Sequence, residues 1–425
     1  MLEEATVSKP QEVWHGRIAT AWAAVMLAAE LKVRLPYIHW IVTGLAFLCM
    51  FDCLRGFYRG GKFPGRVPAW LLVAAVCVPM LYGAAFFYSV AEATKLAIIL
   101  AGGISVFVAR PYLAHCAYRG FVIAVWLNLV LFLGGYFGLG WAEEMGLNRW
   151  GTILCWPGSL SRVASSVWVY AAYLVVKRRS MTSVGLMLGS SLLVYFDGSR
   201  TAPLLLLMGA LYLVLVIAAE AGQLRRAVFV GAVGVGIVVS GIAYSGVLSS
   251  HTNAEEAGAV GRVGEVVSSL QMSGIEGLGA TDLVRYQMLD EVIEKIRAHP
   301  LLGSGVETTI SETILGPMST HMTYLQVWAD LGLLGLVAYV WLVWGWLWWA
   351  PRVLERIRCS ADPEWRAIHY NALFLLLFYA LAAFFHPLST EWSEWVIFII
   401  PYALVWNLAR PDRIPSSAAR QLLND

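Results

Sequence analysis

The chain has 425 residues, of which 59% are hydrophobic and only 14% are charged, and its formal net charge is +2. Soluble domains usually carry about 25% charged residues, so this composition excludes an ordinary soluble domain and predicts a polytopic membrane protein. Binding to nucleic acid is not indicated, because the basic residues cluster in short loops between apolar segments.

The apolar segments predict an all-α membrane protein with about 12 transmembrane helices, since a helix needs roughly 17–25 mostly apolar residues to cross a bilayer. Nine predicted spans fall in residues 1–247, a long polar loop occupies 248–322, and three more spans and a tail fall in 323–425. In chain order the spans lie near residues 18–35, 37–54, 67–88, 91–109, 120–140, 163–176, 181–196, 203–219, 227–247, 323–349, 367–385 and 392–409.

The distribution of basic residues predicts the orientation of these spans. Lysines and arginines are concentrated in alternate loops, including residues 55–66, 177–179 and 352–366. Because basic loops stay on the cytoplasmic side, both termini are predicted to be cytoplasmic and the loop 248–322 to lie outside. Of the six cysteines, only Cys155 falls on the outer side, so no disulfide within the chain is predicted there.

The long loop contains one segment with helical periodicity, predicted over residues 281–298. Leu289, Val292 and Ile296 form an apolar stripe, and one turn before Leu289 the same face carries Arg285. One interpretation of Arg285 is a snorkelling side chain at the frayed end of an interfacial helix. The other is a functional arginine on a helix that packs near the membrane surface.

A second arginine stands in a very short outer turn between two apolar runs. Asp197 and Gly198 supply the turn, Arg200 follows, and Pro203 is predicted to start the next helix. A guanidinium at membrane depth costs on the order of 2.5 to 3.5 kcal/mol, so Arg200 needs a partner or a function. The structural interpretation is a local ion pair with Asp197.

His321 ends the long loop, directly before a long apolar run, and so falls on the same predicted face as Arg200 and Arg285. Arginines bind phosphate oxygens bidentately, and a neutral imidazole can take a proton from a hydroxyl. The three residues therefore suit transfer from a diphosphate donor. A lone histidine would more often be structural, so the hypothesis depends on the two arginines.

Other polar residues of the outer face are candidates for substrate binding. They are Tyr324, just after His321, and His386 and Glu391, in the HPLSTEWSEW turn before the last span. The alternative for that turn, which also carries Glu394, is a solvated loop. No HExxH spacing and no Walker-type glycine loop occurs, so neither a metal nor a nucleotide cofactor is predicted.

Three segments resemble the O-antigen ligase and polymerase superfamily of bacterial envelope glycosyltransferases. They are FDGSRTAPLL at 196–205, VRYQMLDEVIEKIRAHPLLGSGVE at 284–307 and THMTYLQVWADLGLLGL at 320–336. The resemblance implies glycan transfer from undecaprenyl diphosphate to an acceptor sugar, on the periplasmic face of the inner membrane, without metal or nucleotide. Relatives usually carry Asn or Ser after the histidine, where this chain has Met322.

By this resemblance, Arg200 and Arg285 hold the diphosphate, and His321 activates the acceptor hydroxyl as general base, with inversion at the anomeric carbon. The HPLLGSG segment at 299–305 would return the loop helix towards the site. A single long outer loop favours a ligase, with a lipid A-core acceptor, over a polymerase or a protein O-oligosaccharyltransferase. A transporter or flippase is the alternative from another class. RGGKFPGR at 59–66 is similar to a basic transporter loop, but the long loop lies outside and after the ninth span, unlike a two-halved transporter.

Overall fold

The computed structural model describes residues 9–35, 37–49, 71–72, 74, 103–144, 149–199, 201–223, 283–305, 310–313, 316–319, 322–384 and 392–410. These residues are predominantly helical. Four candidate site residues, Arg200, His321, His386 and Glu391, lie outside the described residues, and so does the side chain of Arg285. The predicted ninth span and most of the third and fourth also lie outside them.

The described elements are numbered here in chain order. The helices are α1 Lys9–Leu27, α2 Leu31–Arg34, α3 Ile38–Cys49, α4 Ile104–Ala109, α5 Pro111–Tyr136, α6 Ser159–Ser165, α7 Trp168–Arg178, α8 Met181–Asp197, α9 Thr201–Glu220, α10 Leu283–Ala298, α11 Thr323–Trp344, α12 Ala350–Cys359, α13 Pro363–Ala382 and α14 Trp392–Ala409. Four short strands, β1 Ala142–Glu144, β2 Trp150–Thr152, β3 Ile310–Thr313 and β4 Gly316–Ser319, form two antiparallel hairpins, β1–β2 and β3–β4.

Helices that are long and apolar enough to cross a membrane occur at five places in the described chain: Pro111–Tyr136, Ser159–Arg178, Pro203–Glu220, Thr323–Trp348 and Pro363–Ala382. Shorter apolar helices occupy Ile38–Cys49, Met181–Asp197 and Glu394–Ala409. Each of these eight segments coincides with a predicted span. The protein is therefore a mostly helical membrane protein, as its composition predicts.

Some predicted boundaries are wrong. The first helix ends at Leu27 rather than at residue 35, because the chain turns there and the N–H of Glu30 donates to the Leu154 carbonyl at 2.9 Å. The fifth span begins nine residues early, at Pro111, a residue suited to the first turn of a helix. Thr201, not Pro203, starts α9. The two hairpins were not part of the all-α prediction, because the apolar pattern in their loops is too short to predict strands.

Small and polar residues bring the helices of the core together. A Cβ added at Gly120 of α5 would lie 2.5 Å from the Thr20 carbonyl oxygen, so α1 and α5 are in backbone contact there. The Asn371 amide of α13 donates to the Tyr118 hydroxyl at 2.8 Å and to the Ser166 carbonyl at 2.7 Å. A single buried side chain thus ties α13 to α5 and to the start of α7.

One end of the bundle carries a network of ion pairs. The Glu220 carboxylate at the end of α9 binds Lys177 of α7 at 2.7 Å and Arg366 of α13 at 3.0 Å. Next to it, Arg178 pairs with Asp362 and Glu364 at 2.9 and 2.8 Å. Lys177, Arg178 and Arg366 were predicted to be cytoplasmic from the sequence, and the fold brings them to the same end. The described residues next to Arg200 and before His386, at the start of α9 and the end of α13, lie at the opposite ends of these two helices.

Candidate functional site

The turn that precedes Arg200 is anchored by a buried carboxylate. Gly198 has a φ of +67°, and the Asp197 side chain, which is 0% exposed, accepts hydrogen bonds from the backbone N–H groups of Gly158, Ser161 at 3.0 Å and Ser199 at 3.1 Å. Asp197 thereby satisfies the free N–H groups at the start of α6. The Ser161 hydroxyl and the charge of Arg149 also act on this carboxylate, and the Arg149 Nε–H donates to the Asp197 carbonyl at 3.2 Å. These contacts hold the α8–α9 turn against the 141–162 segment.

The predicted amphipathic helix of the long loop is present as α10, Leu283–Ala298, and its apolar stripe has a defined partner. Val292 and Ile296 form a buried cluster with Ala329 of α11. Leu289 and Ile293 of α10 and Leu325 and Trp328 of α11 pack against this cluster. The stripe therefore faces the first turns of the helix that follows His321, and the backbone of Arg285 is one turn before Leu289.

Helix α11 is broken at Gly332, which has φ 68° and ψ −173°. The break frees the N–H of Leu333 and the carbonyl of Ala329, which would bond to each other in a continuous helix. The Leu333 N–H donates instead to the Pro300 carbonyl at 3.0 Å, and the Ala329 carbonyl accepts from the Ser304 N–H at 2.9 Å. This break was not predicted from the sequence, although Gly332 within an apolar run was its signal.

The HPLLGSG segment thus docks directly on the broken helix. Besides these two bonds, the Gly305 N–H donates to the Asp330 carbonyl at 2.9 Å, and the Trp328 indole N–H donates to the Pro300 carbonyl at 3.0 Å. Gly303 has a φ of +76°, which an L residue adopts only with strain. We call this contact between residues 300–305 and 328–333 the glycine clamp.

The start of α11, two residues after His321, is tied to the end of α13. The Thr323 N–H donates to the Ala383 carbonyl at 2.9 Å. The Tyr324 hydroxyl donates to the Ala380 carbonyl at 2.8 Å and accepts from the Trp344 indole at 2.9 Å. The Tyr324 hydroxyl is therefore engaged within the protein, and its acceptor, Ala380, stands six residues before His386 in the sequence.

An ion pair joins the 141–162 segment to the start of the last helix. Arg162 of α6 and Glu394 of α14 lie 2.9 Å apart, with side chains that are 16% and 3% exposed. The alternative that Glu394 belongs to a solvated turn is therefore wrong, because its carboxylate is buried against a cation. This pair was not predicted from the sequence, since Arg162 and Glu394 are more than 200 residues apart in the chain.

These contacts bring the segments that flank the candidate residues to one end of the bundle. The α8–α9 turn meets α6, α6 meets the start of α14, and the end of α13 meets the start of α11, on which α10 packs. In the described part of the chain, no three His, Cys, Asp or Glu side chains are grouped so that they could hold a metal ion. The metal-independent site thus stays an expectation.

The fold and these contacts define a polytopic helical membrane protein with a polar assembly at one end. Residues 185–340 match the family model described as O-antigen ligase. By this match, a segment of less than half of the chain is similar to the O-antigen ligase superfamily. The matched residues run from within α8 to within α11 and include Arg200, Arg285, the glycine clamp and His321. Among curated proteins, none matches the chain. The match and the apolar helices support a bacterial membrane protein with glycosyltransferase-type activity on lipid-linked glycans.

Proposed function

We propose that this protein is an O-antigen ligase, which transfers O-antigen glycan from undecaprenyl diphosphate to a sugar of the lipid A-core. One observation carries the proposal: the family match covers the segment in which α10, the helix of Arg285, packs on the turns of α11 that follow His321. Leu289, one turn after Arg285, and Leu325, four residues after His321 in the sequence, pack on the same buried cluster. This supports a site in which the two residues act together.

Arg200 and Arg285 bind the diphosphate of the donor and stabilise it as the leaving group, since two guanidinium groups match its oxygens bidentately. His321, with a neutral imidazole, takes the proton of the acceptor hydroxyl. The hydroxyl oxygen forms a bond to the anomeric carbon while the bond from that carbon to the diphosphate breaks, so the configuration inverts. The undecaprenyl diphosphate leaves, and neither a metal nor a nucleotide takes part.

The remaining candidates are assigned by their neighbours. His386 and Glu391 bind substrate in this proposal, because the described residues on either side of their turn, Ala383 and Glu394, contact the start of α11 and α6. Tyr324, which the sequence predicts to bind substrate, instead positions His321 in this proposal, since its hydroxyl is bonded to the Ala380 carbonyl. The centroid of the Tyr324 ring lies 4.5 Å from the centroid of the Phe384 ring.

The proposed setting is the inner membrane, with about 12 spans and both termini in the cytoplasm. Nine spans lie in residues 1–247, the loop 248–322 is periplasmic with α10 as its amphipathic helix, and three spans lie in 323–425. The ion pairs of Glu220 support the orientation, because they gather Lys177 and Arg366 at the end opposite to the site. The partners are the lipid-linked donor, the lipid A-core acceptor and membrane lipid.

Substitutions in cells test the assignment. At normal protein levels, His321→Ala is expected to abolish capping of lipopolysaccharide with O-antigen, and Arg200→Ala and Arg285→Ala are each expected to reduce it strongly. Arg285→Lys stays poor, because an ammonium group cannot form a bidentate contact. Arg297→Ala is the matched control, since Arg297 is exposed on the same helix, and it leaves capping unchanged.

If all three alanine variants cap fully, the catalytic assignment is wrong. Longer glycans on undecaprenyl diphosphate, without capping of the lipid A-core, identify a polymerase. Glycan on protein identifies an oligosaccharyltransferase of the same superfamily. Movement of lipid-linked glycan across the membrane without a new glycosidic bond identifies a transporter or flippase.

A further inference from the structure

In the glycine clamp two backbone segments approach so closely that neither Gly303 nor Gly332 has room for a side chain. A Cβ added at Gly303 would lie 2.3 Å from the Asp330 carbonyl oxygen, and a Cβ added at Gly332 would lie 2.2 Å from the Leu301 carbonyl oxygen. Each glycine also has a φ near +70°, at 76° and 68°. Two positions more than 25 residues apart thus require glycine for the same close approach.

We propose that Gly303 and Gly332 are positioning residues for glycosyl transfer: they lock α10 to α11 and so fix the distance between Arg285 and His321. The inference rests on the proposed function for its catalytic meaning, but the mechanical lock stands on the geometry of the described residues. Each clamp residue acts on the reaction through the placement of Arg285.

Two independent contacts make α10 and the first turns of α11 one rigid unit. The Val292 and Ile296 stripe packs on Ala329 along the length of α10. Just beyond the end of α10, the Leu333 N–H donates to the Pro300 carbonyl and the Ala329 carbonyl accepts from the Ser304 N–H. These two bonds replace the helical bond between Leu333 and Ala329. Because packing alone permits small slides along an apolar stripe, the directional hydrogen bonds of the clamp set the position of α10 along α11.

The turn of Arg200 belongs to a different part of the fold. It is held by Asp197 against α6, and α6 is held by Glu394 of α14. A fault in the clamp therefore displaces Arg285 while the anchors of the Arg200 turn stay in place. This separation allows the clamp to be tested by its effect on one arginine.

The test compares Gly303→Ala and Gly332→Ala with Gly222→Ala in the full-length protein. Gly222 is the matched control, because its φ is +70° but an added Cβ would meet no atom within 4 Å. The two clamp variants are expected to lower the turnover number about 100-fold, the loss that a displacement of roughly 1 Å can cause. The Gly222 variant keeps wild-type turnover.

A double-mutant cycle separates positioning from general damage. In an Arg285→Ala background, Gly303→Ala is expected to lower the residual transfer less than about 3-fold, because the group that it misplaces is already gone. A loss of equal size in both backgrounds overturns the positioning role. Wild-type turnover in both clamp variants overturns it as well.

A distance measurement between α10 and α11 tests the lock independently of enzymatic activity. Spin labels at Glu294 of α10 and Val337 of α11, both exposed, are expected to give one narrow distance distribution that broadens in the clamp variants. A second pair, Met181 and Val337, reports on the rest of the bundle and stays unchanged. An unchanged Glu294–Val337 distribution in folded clamp variants overturns the proposal.

If the glycine variants do not fold, Trp328→Phe removes one clamp hydrogen bond, that of the indole to Pro300, with a small change in shape. A broader Glu294–Val337 distance distribution in this variant supports the lock, and an unchanged distribution overturns it. If the distances respond as expected but the wild-type protein transfers no glycan, the proposed function is wrong while the lock remains.

Discussion

The backbone N–H of Ser161 donates a hydrogen bond of 3.0 Å to the carboxylate of Asp197, which is 0% exposed. Ser161 lies in the first turn of α6, and Asp197 ends α8 three residues before Arg200. One side chain therefore connects the segment 141–162, for which the sequence indicates no role, to the turn that carries a proposed diphosphate ligand. The segment acts as a support for that turn.

Removal of this carboxylate is expected to destabilise the protein and to impair transfer. Asp197→Ala leaves three backbone N–H groups without their acceptor and is predicted to lower the free energy of unfolding by about 2 kcal/mol or more. Asp197→Asn also destabilises, because its amide nitrogen would face N–H donors. Unfolding in detergent measures both. Glu143→Ala is the control, since Glu143 is exposed on the neighbouring strand, and equal stability of Asp197→Ala and this control would contradict the anchor.

Removing one partner of the ion pair of Arg162 and Glu394 is expected to destabilise the protein more than replacing both partners. Arg162→Ala leaves a carboxylate that is 3% exposed without this cation, and breaking a buried pair costs about 3 kcal/mol or more. The double variant Arg162→Met with Glu394→Gln, which buries no charge at these positions, should recover most of that loss. The free energies of unfolding of Arg162→Met, Glu394→Gln and the double variant test this. Additive losses would show that the residues do not interact.

Packing of the loop helix on α11 predicts a strong effect at Val292, which is 0% exposed. Val292→Asp places a charge in the apolar cluster and is expected to detach α10, so transfer falls more than about 10-fold while the protein stays in the membrane. Glu294→Ala, on the exposed side of the same helix, should retain full transfer. Wild-type transfer by Val292→Asp would mean that the position of α10 does not matter.

The Cys155 thiol is predicted to resist labelling from outside. It is buried, its S–H donates to the Leu27 carbonyl at 3.4 Å, and burial raises the pKa of the thiol to about 12. The reactive thiolate forms only as the pH rises towards that raised pKa, so a maleimide reacts slowly between pH 7 and 9. A variant with Cys155 as its only cysteine is compared with Glu143→Cys in a cysteine-free background. Equal labelling rates would contradict the burial.

Helical periodicity and span length suffice to predict much of this fold. Eight predicted spans coincide with helices, and the Leu289, Val292 and Ile296 stripe faces a partner helix, because a helix exposes its apolar pattern in the local sequence. The break at Gly332 and the pairing of Arg162 with Glu394 were not predicted. Both depend on groups far away in the chain, so no local pattern reports them.

The central claim is tested most directly by transfer with the purified protein in the presence of a chelator. The donor is undecaprenyl diphosphate-linked glycan and the acceptor is rough lipopolysaccharide. We predict that glycan-capped lipopolysaccharide forms with chelator present, that His321→Ala forms none, and that Arg297→Ala matches the wild type. No capped product from the folded wild-type protein, or product that the chelator abolishes, would contradict a metal-independent O-antigen ligase.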